Sequence, residues 1–114
     1  MYKLTVLYRK VDDPDAAEQF FANTHLPLAE QLPGLIKSEV SRVSHKPGGQ
    51  SRFVLMYELY FESEETLQAA FVTRVGIQLI QALQPWADAR IISWFYAEAF
   101  EEEAGLWRTA DSST

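Results

Sequence analysis

The chain contains no cysteine and only two histidines among its 114 residues. The first absence excludes disulfides, thiolate nucleophiles, iron–sulfur clusters and cysteine-based zinc sites together. The second leaves His25 and His45 as the sole sources of imidazole. Cations are scarce as well: ten Lys and Arg face sixteen Asp and Glu, for a formal charge of −6. That sign excludes a nucleic-acid partner, because neutralising phosphates requires a basic face. No apolar run approaches the ~20 residues needed to span a bilayer. Lys3, Arg9 and Lys10 interrupt the N-terminal segment where a signal peptide would carry its apolar core. A cytoplasmic protein with no membrane attachment is expected. Glycine-rich phosphate loops, dinucleotide fingerprints, serine elbows and metal-ligand pairs at helical spacing are also missing, so neither a cofactor nor a metal is expected.

What remains is an ordinary globular composition, 47% apolar and 23% charged, which decides against a disordered chain. A single domain of this length buries about 65% of its unfolded surface, enough for one core. The negative charge is concentrated at one end. Residues 98–114 carry Glu98, Glu101, Glu102, Glu103 and Asp111 against Arg108, a net −4 that leaves the body nearly neutral. Residues 1–98 are therefore assigned to the domain. Residues 99–114 form an acidic tail expected to fray unless Leu106 and Trp107 dock.

Along the chain, Tyr2, Leu4, Val6 and Tyr8 alternate with Lys3, Thr5, Leu7 and Arg9, the period of a strand with one strongly apolar face. Asp12 and Asp13 followed by Pro14 give an acidic cap with proline at the first helical position. Ala16, Ala17, Phe20 and Phe21 continue as a helical stripe. This helix should stop or kink near His25, because Pro27 lacks an N–H and disfavours helical angles at Leu26. Leu28 to Leu32 can add a turn before Pro33-Gly34. Residues 35–44 resemble an edge strand, with Ile36, Val40 and Val43 among polar residues. Phe53 to Phe61 is the strongest strand and is apolar on both faces. Ser63 with Glu64 and Glu65 begins a second helical region, weakened at Gly76 into what reads as two short helices, and Pro85 should end it. Residues 90–97 form the fourth strand. The order βαββαβ makes an α+β, ferredoxin-like domain: a four-stranded antiparallel sheet with both helical regions on one face.

Such a sheet leaves a face uncovered. Val54, Met56, Tyr60, Ile92, Trp94 and Tyr96, assigned to that face, amount to about 600 Å² of apolar surface, the upper end for a monomer. The expected partner is a second copy, sheet against sheet, in a two-fold dimer with a barrel-like core. The alternative is that the first helix and the tail wrap this face.

Chemistry has few candidates. His25 is the one side chain in the first crossover that titrates near neutrality, and it can act as acid, base or hydrogen-bond anchor. Equally, it can simply bond a carbonyl freed by Pro27. His45, beside Lys46-Pro47-Gly48-Gly49, reads as a solvated turn residue. Tyr8, Phe21, Leu28, Tyr57, Trp86, Trp94 and Tyr96 are the candidate walls of a pocket for a small apolar or aromatic ligand, although such residues more often build cores and interfaces. Glu58, inside an apolar strand, is either buried and perturbed or paired with Arg52 or Arg42, of which the pair is the preferred reading. Glu101 to Glu103 read as a solvated run rather than metal ligands.

The run Phe20, Phe21, His25, Pro27, Leu28, Leu32, Pro33, Gly34, Leu35, followed by Glu58-Leu59-Tyr60-Phe61 and Ser63, resembles the EthD-type proteins of the dimeric α/β-barrel superfamily. The similarity spans about residues 1–98, and its most specific part is the His-x-Pro-Leu and Pro-Gly-Leu combination. The resemblance implies a homodimer with a pocket between sheet and helices. It also implies cofactor-free cyclase, dehydratase or decarboxylase chemistry on aromatic or polyketide-like rings, or an accessory role beside a degradation or biosynthesis pathway. His25 takes the position of the family's candidate catalytic histidine. Members often carry a tyrosine in the helical turns before it, where this chain has Phe20 and Phe21.

Overall fold

The computed structural model describes residues 1–102. Its elements follow the expected order: strand β1 (Tyr2–Arg9), helix α1 (Pro14–Phe20), a π-helical turn (Phe21–His25), helix α2 (Leu26–Ala29), strand β2 (Lys37–Arg42), strand β3 (Phe53–Phe61), helices α3 (Glu64–Phe71) and α4 (Arg74–Asp88), and strand β4 (Ile92–Glu98). The sheet is fully antiparallel in the order β2-β3-β1-β4, so β1 and β3 are central and β2 is an edge. Leu106 and Trp107, the expected anchors of the tail, lie outside the described residues.

The helix starts are made by the residues that foretold them. Asp13 accepts from the Ala16 N–H ahead of Pro14, Ser63 accepts from Thr66, and Thr73 accepts from Gly76. Each satisfies a donor that the first helical turn leaves free. The second helical region divides at Val72-Thr73, three residues before the expected Gly76, which lies in the first turn of α4 where a Cβ would stand 2.2 Å from the Ala70 carbonyl oxygen and 2.6 Å from Phe71 Cα. Only a residue without a side chain lets α4 begin so close to the end of α3.

Pro27 and Pro85 both lie inside helical runs, and only at Pro85 is the expected interruption missing. Pro27 does not stop the helix. The π-turn before it widens the spiral, with the Leu26 N–H reaching the Phe21 carbonyl, and the helix resumes as α2. A wide turn of this kind accommodates the missing proline donor and the ring's steric demand without breaking the axis. Pro85 likewise sits within α4, which runs on to Asp88. The stop comes at Arg90, in the left-handed region at φ 61°, where the Arg90 and Ile91 N–H groups turn back to the Ala87 and Trp86 carbonyls. That wrapped ending closes the helix and directs the chain into β4.

The core lies between the sheet and the helices. Leu4, Val6 and Tyr8 of β1 and Leu55, Tyr57, Leu59 and Phe61 of β3 meet Ala17, Phe21, Ala29, Leu67, Leu79 and Leu83, all buried. Register corrects the expected face of β4. Ile92, Trp94 and Tyr96 pair with Tyr8, Val6 and Leu4, so they share the helix-covered side. The uncovered face carries instead Leu7, Met56, Tyr60, Phe95 and Ala97, together with Thr5 and an ion pair between Lys3 and Glu58. With apolar residues on both alternations of β4, its own composition does not choose a face; the ladder with β1 does. Glu58 is thus paired, but with Lys3 across the ladder rather than with either arginine. Arg42 holds Glu18 of α1 with two bonds, at 2.6 and 3.2 Å.

Gly76→Ala should destabilise the fold by about 2 kcal/mol or more, since the backbone contact outweighs the ~1 kcal/mol gained in helix propensity. Gly49→Ala, which meets nothing within 4 Å, should stay within about 0.5 kcal/mol of wild type. Urea unfolding of the two variants would measure this contrast, and equal effects would contradict the packing described.

Candidate functional site

The π-turn decides where the first crossover points its imidazole. Widening the helix by one residue turns His25 inward, where it has no exposed surface, while Ala22 and Asn23 stay outside. Rings surround it: Tyr8 from the centre of the sheet at 5.7 Å between centroids, Phe21 at 5.4 Å, Tyr57 at 5.0 Å and Phe20 at 6.4 Å. Phe21 and Tyr57 present their edges nearly at right angles, the arrangement in which edge and face charges attract.

One polar contact crosses this apolar nest. The Tyr8 hydroxyl and His25 Nδ1 are 2.5 Å apart, both buried. His25 Nε2 has no hydrogen-bond partner among the described residues, and neither has the Tyr57 hydroxyl. Burial lowers the His25 imidazole to about 3 and raises the Tyr8 phenol above its usual range. Burial also raises Tyr57. At neutral pH the pair is therefore a neutral imidazole against a neutral phenol.

The proton positions follow from counting donors. If Nδ1 carried the proton, the Tyr8 O–H would need another acceptor and Nε2 would be left with an unused lone pair. If Tyr8 donates to Nδ1, only the Nε2 N–H is unmet. The second arrangement strands fewer buried groups, each of which costs about 1–3 kcal/mol. It makes Nε2 a hydrogen-bond donor, suited to a carbonyl, hydroxyl or enolate oxygen.

Of the candidate walls, Tyr8, Phe21 and Tyr57 gather around His25. Trp86 joins them through Phe20, on which it stacks at 4.6 Å, and Leu28 is half-buried against the same core. Trp94 and Tyr96 sit opposite Val6 and Leu4, further down β1 from Tyr8. There they line, with Leu4, Phe71, Ile80 and Phe95, a separate groove of about 470 Å³. A second cavity, of about 200 Å³, is walled by Tyr8, Val11, Pro14, Ala17, Val54 and Leu55, with Arg9, Lys10 and Glu18 also contributing. His45 is exposed on its turn. Among the described residues, no group of three or more His, Asp or Glu is placed to hold a metal ion. No helix among them is long and apolar enough to cross a membrane.

The direct partner of His25 was the feature least visible in the sequence. Phe20 and Phe21 occupy the helical positions where a tyrosine would be sought, and the phenol comes from β1 instead. The available signal was the alternation of β1, which puts Tyr8 on the apolar face at the end of the strand from which the crossover departs.

No family model matches the chain. It is 28% identical over 76 residues, 67% of this chain and 74% of the other, to an uncharacterized 11.0 kDa protein in the thcB-thcC intergenic region of Rhodococcus erythropolis. Among solved structures, a cofactor-independent oxygenase from Streptomyces nogalater is 11% identical with a TM-score of 0.61, over 90% of this chain and 96% of that one. A dimeric ferredoxin-like protein of unknown function from Jannaschia is 18% identical with a TM-score of 0.59, over 86% and 98%. At those identities the likeness is one of fold. The crystal structure of an ethyl tert-butyl ether D (EthD) family protein from Bacillus halodurans is another matter, at 33% identity and a TM-score of 0.80 over 88% of this chain and 99% of that one. With a third of its residues shared along nearly the whole domain, the chain belongs to the EthD family.

Proposed function

We propose that this protein binds a small apolar, cyclic metabolite and acts on it without a cofactor, with His25 as the polar group that engages the ligand. The observation that carries this reading is the buried Tyr8–His25 hydrogen bond, 2.5 Å long, with the opposite ring nitrogen unpartnered. A buried N–H without an acceptor costs free energy that a ligand oxygen would recover. Tyr8 fixes the tautomer and the ring, so the donor needs no reorganisation when a carbonyl arrives. A neutral imidazole used this way polarises a carbonyl, as at other enolising sites.

Outright proton transfer is harder. If Nε2 gave up its proton to a developing enolate, the proton of Tyr8 would have to move onto Nδ1 and leave a buried phenolate, which burial strongly disfavours. The pair therefore suits stabilising an enol or enolate oxygen in a cyclisation, dehydration or decarboxylation better than acting as a full proton donor. A second reading, a binding or accessory protein without catalysis, is favoured by the complete burial of His25 among four aromatic rings.

The reading includes a homodimer formed through the uncovered sheet face, in keeping with the dimeric protein of the same fold. Leu7, Met56 and Tyr60 are half-buried there, and Phe95 is exposed. The face is more mixed than six large apolar residues would make it, because Lys3 and Glu58 neutralise each other within it. An ion pair satisfied inside one subunit lets the surrounding apolar groups be covered without leaving a charge unpaired.

His25→Ala should abolish turnover, or weaken binding at least tenfold, for a responsive member of an aromatic and polyketide panel, and Tyr8→Phe should give a smaller loss. Unchanged kinetics in His25→Ala would remove the histidine from the role.

Acid stability provides an independent check on the neutral imidazole. The folded value near 3 lies below the ordinary 6.5, so between these pH values the unfolded chain binds the proton and the folded one does not. Stability from this group is complete above 6.5 and falls towards pH 3, with a slope approaching about 1.4 kcal/mol per pH unit. In urea unfolding at pH 7, 6, 5 and 4, wild type should lose stability faster than His25→Gln; parallel curves would refute a neutral buried ring.

Phe95→Glu should convert the dimer to a monomer at micromolar concentration in sedimentation velocity. A wild-type chain that sediments singly under those conditions would end the dimer reading.

A further inference from the structure

The cavity of about 200 Å³ beside Tyr8 has a feature that the His25 chemistry does not use. Its walls are apolar, from Val11, Pro14, Ala17, Val54 and Leu55, but Arg9 and Lys10 also reach it. Next to it, a more open depression is formed by Arg9, Lys10, Val11, Asp12 and Arg52. Three of the ten cationic side chains of a protein with net charge −6 thus meet at one corner. Glu18, the carboxylate of the cavity wall, is already engaged by Arg42, whose guanidinium holds it below the ordinary carboxylate range. Asp12 is the remaining anion among these residues, so the corner is locally positive.

The backbone is built to place them. Tyr8 stands opposite Leu55 while the next residue, Arg9, stands opposite Phe53, which leaves Val54 without a partner in the ladder. The extra residue belongs to β3, and such an insertion bends its strand, here the one that leads out of Arg52 and Phe53. The Lys10 N–H then bonds the Arg52 carbonyl at 2.8 Å, joining the two basic segments. The Nε of Arg9 is buried and has no acceptor among the described residues. A charged donor buried without an acceptor is costly, and the missing partner is an anion.

We infer that this cavity and its basic corner form the binding site for a single-ring carboxylate, the ring held by the apolar wall and the carboxylate by Arg9 and Lys10. The inference rests on the proposed small cyclic ligand and names its class. Size supports one ring: an apolar cavity of about 150 Å³ is known to accept benzene. Tyr8 belongs both to this wall and to the His25 pair, and His25 itself does not line the cavity. Arg9 suits the acid group because its planar fork meets a carboxylate with two parallel bonds.

Calorimetry on the full chain with benzoate and its uncharged methyl ester tests this. At low salt, benzoate should bind about tenfold or more tightly than methyl benzoate, the scale of one charge-assisted hydrogen bond. The preference should vanish in Arg9→Gln/Lys10→Gln, with binding of the ester unchanged as evidence that the cavity persists. Equal affinities in wild type, no binding of either probe, or a preference that survives the double substitution would overturn the inference. His25→Ala separates the two proposals. Kept preference with lost turnover supports both readings, kept preference with normal turnover removes only the role of His25, and a loss of the acid preference overturns the carboxylate site.

Discussion

A single hydrogen bond between the central strand and the first crossover organises the interior of this protein. Burying an imidazole is unfavourable unless its nitrogens are met, and Tyr8 meets one of them from the middle of the sheet. That contact requires the ring of His25 to enter the core at a fixed depth, and an uninterrupted α-helix followed by Pro27 would not deliver it. The π-turn from Phe21 to His25 does. It costs some helical regularity in exchange for turning one polar side chain inward and leaving Ala22 and Asn23 in solvent. The aromatic shell of Phe20, Phe21, Tyr57 and, through Phe20, Trp86 then excludes water, so the pair stays neutral and Nε2 stays unmet.

The architecture was legible in the sequence wherever local chemistry determines it. Asp13-Pro14, Ser63 with its two glutamates, and the alternation of Tyr2 to Arg9 each specify an element without reference to the rest of the chain, and each element is found where these residues place it. Gly76 was visible as a weak point, and its physical role is steric: it permits the close approach of α3 and α4. The features that escaped are those set between elements. Pro85 alone predicts a helix end that is not found, because a proline's local effect is to break a helix; Pro27 predicts a stop or kink near His25, and the interruption there takes the form of a π-turn. The face of β4 was misassigned because a strand apolar on both sides takes its orientation from its partner.

The candidate site was legible in part. His25 stood out as the one titratable group in the crossover, and Tyr8, Phe21 and Tyr57 were named as possible walls. That Tyr8 would bond the imidazole was not visible, because the search for a phenol ran along the helix and the phenol lies eight residues into the chain, on a strand. Spacing in sequence carries no information on which strand passes beneath a helix. Likewise Glu58 had a visible need for a partner, and the cross-strand register, which sets Thr5 opposite Glu58 and brings Lys3 diagonally near, decided which cation would serve.

The alternation of β1 keeps two demands apart. Leu4, Val6 and Tyr8 face the helices and support the chemistry, while Lys3, Thr5 and Leu7 face the uncovered side where a second subunit would sit. Because successive side chains point to opposite faces, substitutions that tune association need not disturb the imidazole, and the reverse also holds. This separation fails at one place. Beyond Tyr8 the ladder with β3 slips by a residue at Val54, while the Arg9 N–H still bonds the Ile91 carbonyl on the other side. The irregularity sits at the end of the strand where Tyr8 reaches His25, beside Arg9, whose Nε is buried. A bulge without a role would be an odd element to keep beside a buried hydrogen bond that depends on exact strand position. Its location places the Arg9 cation and the Tyr8 phenol at one strand end, so the carboxylate site inferred above and the His25 pair would depend on the same short stretch of backbone.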